Sequence, residues 1–168
     1  MRILAIDAST KSSGWAVFDD TKLVQYGCIT ASSNDLVKRI QKMISEIDVI
    51  LQNSQAEKII LEEVRPEDKG LQNQNLKTHK ALMYLQAAIV FLLHDRHPKV
   101  ELDFLYPSEW RSLCGIKTGS GVKRESLKPA DIAFAKAKFN LDVNDDIADA
   151  LGIGYAYALD KGNRIDWE

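Results

Sequence analysis

The chain opens with three apolar runs separated by short polar links. Arg2 to Ile6 (RILAI), Gly14 to Phe18 (GWAVF) and Leu23 to Thr30 (LVQYGCIT) are joined through STKSS and DDTK. Consecutive strand-like runs with such tight connections predict an antiparallel meander. The period then changes. From Asp35 to Leu51, the residues Leu36, Ile40, Met43, Ile44, Ile47 and Leu51 recur at three- and four-residue steps. That is an amphipathic helix, with Ser32, Ser33 or Asn34 available as its cap. Lys58 to Val64 (KIILEEV) reads as a fourth strand and Val100 to Leu105 (VELDFL) as a fifth. Between them, Arg65 to Asn75 is a polar loop and Thr78 to His94 a broadly apolar helix, with Leu82, Leu85, Ala88, Ile89 and Leu92 on one side. Pro107 to Cys114 is a short helix stopped by Gly115, and Lys117 to Gly121 is a loop. Pro129 to Phe139 and Asp146 to Leu159 are the last two helices. Three meandering strands followed by strand–helix alternation predict an α/β fold. Its sheet is mixed and five-stranded, with helices on both faces.

At 168 residues, with no repeat or linker that would divide it, the chain is expected to form one domain over 1–168. The longest apolar stretch, Leu85 to Leu93, is far below the ~20 residues of a membrane span. The N-terminus has no signal-peptide pattern, and Cys28 and Cys114 make no C-x-x-C. A soluble, cytoplasmic protein is expected. The formal net charge of −2 argues against a nucleic-acid binder, but it conceals an asymmetry. Tyr106 to Lys138 holds seven basic residues against three acids, while Asn140 to Glu168 holds seven acids against two bases. Bases that hold phosphates beside carboxylates that hold cations fit a metal-dependent nuclease. Two solvated faces of opposite sign fit the same count.

The acids occupy informative positions. Asp7 closes an apolar strand, where a carboxylate needs a partner; capping the Ala8–Lys11 bend is the simpler role. Glu62 and Glu63 point to opposite faces of their strand, so one of the two faces a site. Asp146 and Asp149 are three apart and share one face of the final helix. Asp142 and Asp145 read as a solvated loop residue and an N-cap, and the helix dipole alone favours acids there. Asp149 lies a full turn in, against the apolar ALGIGYAYAL, where it wants a cation. Such a set offers oxygen donors only, which select Mg²⁺ or Mn²⁺. Two such ions about 4 Å apart can activate a water and stabilise a leaving 3′-oxygen. His94 and His97 close a helix and His79 lies near the start of one, exposed; none competes as a ligand.

ILAIDASTKSSGWAVFD, IILEEV and DDIADALGIGYAYA resemble, in order and spacing, the RuvC family of Holliday-junction resolvases, over nearly the whole chain. The resemblance implies a ribonuclease-H-like fold. It implies a homodimer that cuts two opposed strands of a four-way DNA junction with Mg²⁺ or Mn²⁺. It places the four catalytic, metal-binding acids on Asp7, Glu62, Asp146 and Asp149, converging in one metal-sized cluster. YPSEWRSLCGIKTGSGVKRE is similar to a family region of basic phosphate contacts. Lys123 is the closest match there and takes a catalytic role; Arg111, Lys117 and Arg124 are DNA contacts. Thr78 to His94 is apolar on more than one side, so it is either fully buried or offers a dimer face through Met83, Tyr84, Ala87 and Phe91. Two departures stand out: Ala8-Ser9 replaces the usual Pro-Gly, and Val64 to Lys77 carries no aromatic near the junction bases. Both suit a phage or mobile-element branch, acting in a bacterial cell or a phage-infected host. The opening hairpin also resembles the ATP-binding actin, Hsp70 and sugar-kinase superfamily. The same core would also suit an enzyme processing ribosomal RNA or an inactive DNA-binding relative.

Overall fold

The computed structural model describes residues 1–63 and 73–160. Its strands are β1 (Arg2–Asp7), β2 (Ser12–Asp19), β3 (Lys22–Thr30), β4 (Lys58–Glu62) and β5 (Glu101–Leu105). Its helices are α1 (Leu36–Ser54), α2 (Asn73–Arg96), α3 (Pro107–Leu113), α4 (Leu127–Phe139) and α5 (Asp145–Asp160), with a single 3-10 turn at Arg124–Ser126. The sheet runs β3-β2-β1-β4-β5. The first three strands pair antiparallel, and β1–β4 and β4–β5 pair parallel. This is the mixed α/β sheet the sequence predicts.

Strand alternation divides the core. Ile3, Ala5, Ala16, Phe18 and Ile60 pack against α3, α4 and α5. Leu4, Ile6, Val17, Ile59 and Leu61 pack against α1 and α2. The two-residue period therefore fixes which end-of-strand acids look toward α5. Asp7 continues the Ile3–Ala5 face, and Glu62 continues the face of Ile60. Ile6 lies level with Leu61, so Asp7 and Glu62 sit side by side at one end of the sheet.

Several boundaries differ from expectation for local reasons. The α1 cap is Asp35, whose Oδ1 accepts from the Val37 and Lys38 amides at 2.8 and 3.2 Å; Ser33 instead accepts from the Asp35 amide. Helix α4 begins two residues before Pro129, which is tolerated because first-turn amides have no intrahelical acceptor. Asn144, not Asp145, caps α5, accepting from the Ile147 amide at 3.0 Å. Strand β4 stops at Glu62, and α2 starts at Asn73, within the region expected to be loop. Most of that loop, 64–72, lies outside the described residues. His79 is half-buried rather than exposed. No helix among the described residues is long and apolar enough to cross a membrane.

Candidate active site

Glycines bring α5 onto the sheet. Gly14 on β2 lies opposite Asp7, and a Cβ there would come within 1.8 Å of the Asp146 carbonyl oxygen. Gly152 and Gly154 face the Trp110 and Phe18 rings as closely, at 2.4 and 2.5 Å for an added Cβ. The first turn of α5 is thereby laid across the ends of β1 and β2, carrying Asp146 and Asp149 toward Asp7 and Glu62.

The four acids act on one another. Burial, reinforced by the charges of Glu62 and Asp146, pushes the Asp7 carboxyl from 3.8 up to about 8. Burial and the charges of Asp7 and Asp131 push Asp149 up to about 9. Burial raises Glu62 as well, against the pull of a hydrogen bond from Trp110. Three of the acids are held by protein donors. Trp110 Nε1 donates to Glu62 Oε2 at 2.7 Å, and Ser12 Oγ donates to Asp146 Oδ2. Arg111 Nη2 lies 3.6 Å from Asp149 Oδ2.

The expected metal-sized cluster is not formed: among the described residues, no three such side chains are grouped to hold an ion. Like charges at close range repel, and each of these donors draws its carboxylate toward the protein. The donor set nevertheless suits a divalent cation. All four side chains offer oxygen, and Asp149 Oδ1 is buried without a hydrogen-bond partner. An acceptor left in that state is costly unless a cation or a proton meets it.

The basic residues depart from their expected places. Arg111 is only 8% exposed and cannot lie on DNA as a surface contact. It makes a two-pronged pair with Asp131, at 3.1 Å from Nε and 2.8 Å from Nη2. Full burial of the Asp131 carboxylate demands such a partner. Lys117 and Lys123 are exposed, and Lys123 has no carboxylate partner among the described residues. The cations acting on Asp7 are Lys128 and Arg111. Lys128 pairs with Asp145, which holds its ammonium above the usual range, and it also feels Asp146 and Asp149. The cation at the edge of the acids is thus Lys128, further along the chain than the residue expected there. The Arg124 side chain lies outside the described residues. Asp142 pairs with Lys136 on the surface.

Sequence reasoning missed Ser12, Trp110, Lys128 and Asp131. Asp131 carried a signal, as an acid in a strongly basic stretch followed by an alanine-rich helix. Ser12 and Trp110 carried none, because their partners are distant in sequence.

No protein-family model and no curated protein matches the chain. Solved structures do. T. thermophilus RuvC in complex with a Holliday junction substrate aligns with a TM-score of 0.74 and 14% identity, covering 96% of each chain. A second Thermus thermophilus RuvC structure gives 0.70 and 13% identity, again over 96% of each. The yeast mitochondrial Holliday junction resolvase Ydc2 gives 0.59 and 13%, over 93% of this chain and 77% of that one. The chain therefore has a ribonuclease-H-like α/β fold. Within that class, its five-stranded sheet and flanking helices resemble those of the RuvC resolvases.

Proposed function

We propose that this chain is a metal-dependent, structure-selective endodeoxyribonuclease that resolves four-way and other branched DNA junctions by paired nicking. The observation that supports the reading is that Asp7 and Glu62 end neighbouring strands of a RuvC-like sheet, with Asp7 feeling the charges of Glu62 and Asp146, and Asp149 that of Asp7. The Thermus relative's structure with a Holliday junction supports the same substrate class. The cell compartment is the cytoplasm of a bacterium or of a phage-infected host.

Asp7, Glu62, Asp146 and Asp149 would hold Mg²⁺ or Mn²⁺, two ions per site. Bound there, such ions activate a water and stabilise a departing 3′-oxygen. The chain's own residues prepare the site. Ser12 orients Asp146, and Trp110 orients Glu62. Lys128 and Arg111 offset part of the acids' charge, keeping four carboxylates tolerable before phosphate and cation arrive. Lys117, Lys123 and Arg124 remain assigned to phosphates.

The partner is a second copy of the chain. Paired nicks on a two-fold junction need two sites facing it. The outer face of α2 offers the interface: Met83, Tyr84 and Val90 are exposed, and Phe91 is 75% exposed. An apolar stripe of this kind marks an interaction surface.

The test incubates the protein and Mg²⁺ with a labelled four-way junction, a linear duplex, a structured RNA and ATP. Symmetric cuts in the junction alone are expected, and D146N should bind the junction without cutting it. Preferential cleavage of the RNA, hydrolysis of ATP, or near-normal turnover by D146N overturns the reading.

A further inference from the structure

Beneath the carboxylates lies a second set of buried groups that sequence patterning does not explain. Helix α3 delivers Trp110 and Arg111 in succession, both buried. The Arg111 guanidinium stacks over the Trp110 ring at 4.3 Å from its centroid. From α4, Asp131 rises to meet it with 0% exposure. A buried ion pair is weak evidence for stability, since apolar residues of similar volume often serve as well. Its retention asks for another reason, and the neighbours supply one. Trp110 holds Glu62, and Arg111 reaches Asp149.

The distances show how the guanidinium is shared. Its three short contacts, one at 2.8 Å and two at 3.1 Å, go to Asp131, while Asp149 is left at 3.6 Å. A guanidinium fork prefers two-point contact with one carboxylate. Asp131 takes that contact and also stands in side-chain hydrogen-bonding reach of Asp149, so it acts on Asp149 both directly and by keeping Arg111 from occupying it, while Asp149 Oδ1 keeps no partner. Without Asp131, Arg111 would be free to close on Asp149 and compete with any arriving cation.

We infer that Asp131 is a positioning residue which, through Arg111 and together with Trp110, holds Asp149 and Glu62 open for divalent cations. The inference rests on the reading above that these carboxylates bind such ions.

The experiment measures Mn²⁺ binding by water-proton relaxation, and single-turnover junction cleavage. It uses the full chain, D131N, W110F and the double variant R111M/D131L. D131N should weaken Mn²⁺ binding about 10- to 100-fold, the usual cost of losing an outer partner of a metal ligand. Its metal-free affinity for the junction should be unchanged, and its cleavage should recover in part at high Mn²⁺. W110F keeps an aromatic ring but loses the N–H donor and part of the buried indole, and should move Mn²⁺ affinity in the same direction by less. R111M/D131L replaces the pair with apolar groups, and decides the matter should D131N fail to fold. Folded variants that bind Mn²⁺ as the parent does would overturn the inference and leave the pair a packing element. A parent that binds Mn²⁺ but cuts no DNA sinks the nuclease reading while the affinity comparison still stands. A parent that binds no Mn²⁺ sinks both.

Discussion

The two faces of the sheet solve the same packing problem differently. On one, α5 sets Gly152 and Gly154 against the rings of Trp110 and Phe18, with Ala148, Ala150, Ala156 and Ala158 buried beside Leu151, Ile153 and Tyr157. On the other, α1 and α2 present Met43, Ile47, Leu51, Leu85, Ile89 and Leu92 against aliphatic strands. Small residues let a helix backbone lie against strand ends, so its acids are desolvated beside other acids. Large residues hold a helix farther off. Each face also buries carboxylates, and their surroundings are opposite. Asp48 on α1 is buried, which works against its charge. Hydrogen bonds from His97 at 2.7 Å and Gln52 at 3.1 Å, with the Arg96 charge, nevertheless hold it below the usual range. Asp7 and Asp149 have only the partial pull of Lys128 and Arg111 against burial and neighbouring acids, and are pushed up to about 8 and 9. A carboxylate satisfied by its own protein fits a structural role; one left wanting is a candidate for a ligand.

The contrast is broken most severely at the glycines. Gly14→Val forces a side chain into the α5 backbone, where nothing flexible can yield. Overpacking of this kind is expected to cost about 2–3 kcal/mol in urea unfolding and to abolish cleavage by displacing Asp146. Val90→Ala on the outer face of α2 should stay within about 0.5 kcal/mol. Equal losses from the two substitutions would refute the claim that close approach is confined to the α5 face.

The next effect concerns the exposed stripe on α2. Phe91→Glu should leave the protomer's unfolding midpoint nearly unchanged yet yield monomers in light scattering, and single rather than paired nicks. An aromatic anchor of an interface is worth about 2 kcal/mol or more, enough to dissociate a micromolar dimer. A parent that is itself monomeric at micromolar concentration refutes the interface.

How far the sequence revealed these two faces follows from the range of the interactions. Strand and helix periods are local, so the element order, the mixed sheet and the side-by-side ends of β1 and β4 were legible in RILAID and KIILEEV. The candidate acids stood out because Asp7 and Glu62 end apolar runs and Asp149 adjoins one, while Asp146 came only from the resemblance. Their companions were not. Trp110 meets Glu62 across 48 positions, and Ser12 meets Asp146 across 134. Arg111 looked like one more base in a basic segment, and only the packing of α3 on α4 turns it inward to Asp131. Sequence favours Lys123 over Lys128 for a related reason. The 3-10 turn at Arg124–Ser126 precedes α4, and it is α4 that brings Lys128 to Asp145.

A smaller and sign-specific prediction sharpens the contrast between the buried acids. For Asp7 the native state holds a proton up to about pH 8, while the unfolded chain loses it near 3.8. Between those values the unfolded state binds fewer protons, so its ionisation favours unfolding, and the metal-free protein loses stability as pH rises. Asp7→Asn should therefore stabilise the metal-free protein at pH 7. Asp48 is shifted the other way: its contribution is present above the unfolded value and disappears as pH falls through the lower native one. Asp48→Asn should destabilise at pH 7. Each change is expected to be on the order of 1 kcal/mol, about 2–4 °C in Tm, and both should vanish in strong acid. Thermal melts at pH 7 and pH 3 with a chelator present give the answer, and shifts of the same sign would refute the distinction.

The smallest effect separates Lys123 from Lys128. Lys123 is exposed, and the proposed function gives it a phosphate contact. Lys123→Ala should weaken junction binding and lower the salt slope by about one unit, with the saturated single-turnover rate little changed. Lys128 is tied to Asp145 and acts on Asp7, Asp146 and Asp149. Removing it leaves the acids less compensated. Lys128→Ala should therefore lower the saturated rate more than it lowers affinity, the pattern of an interaction that matters most in the transition state. Glu125, two residues from Lys123, provides a control for charge alone: Glu125→Gln should strengthen binding slightly without moving the rate. A fall in the saturated rate of Lys123→Ala, with Lys128→Ala near normal, would return the catalytic cation to the loop and away from α4.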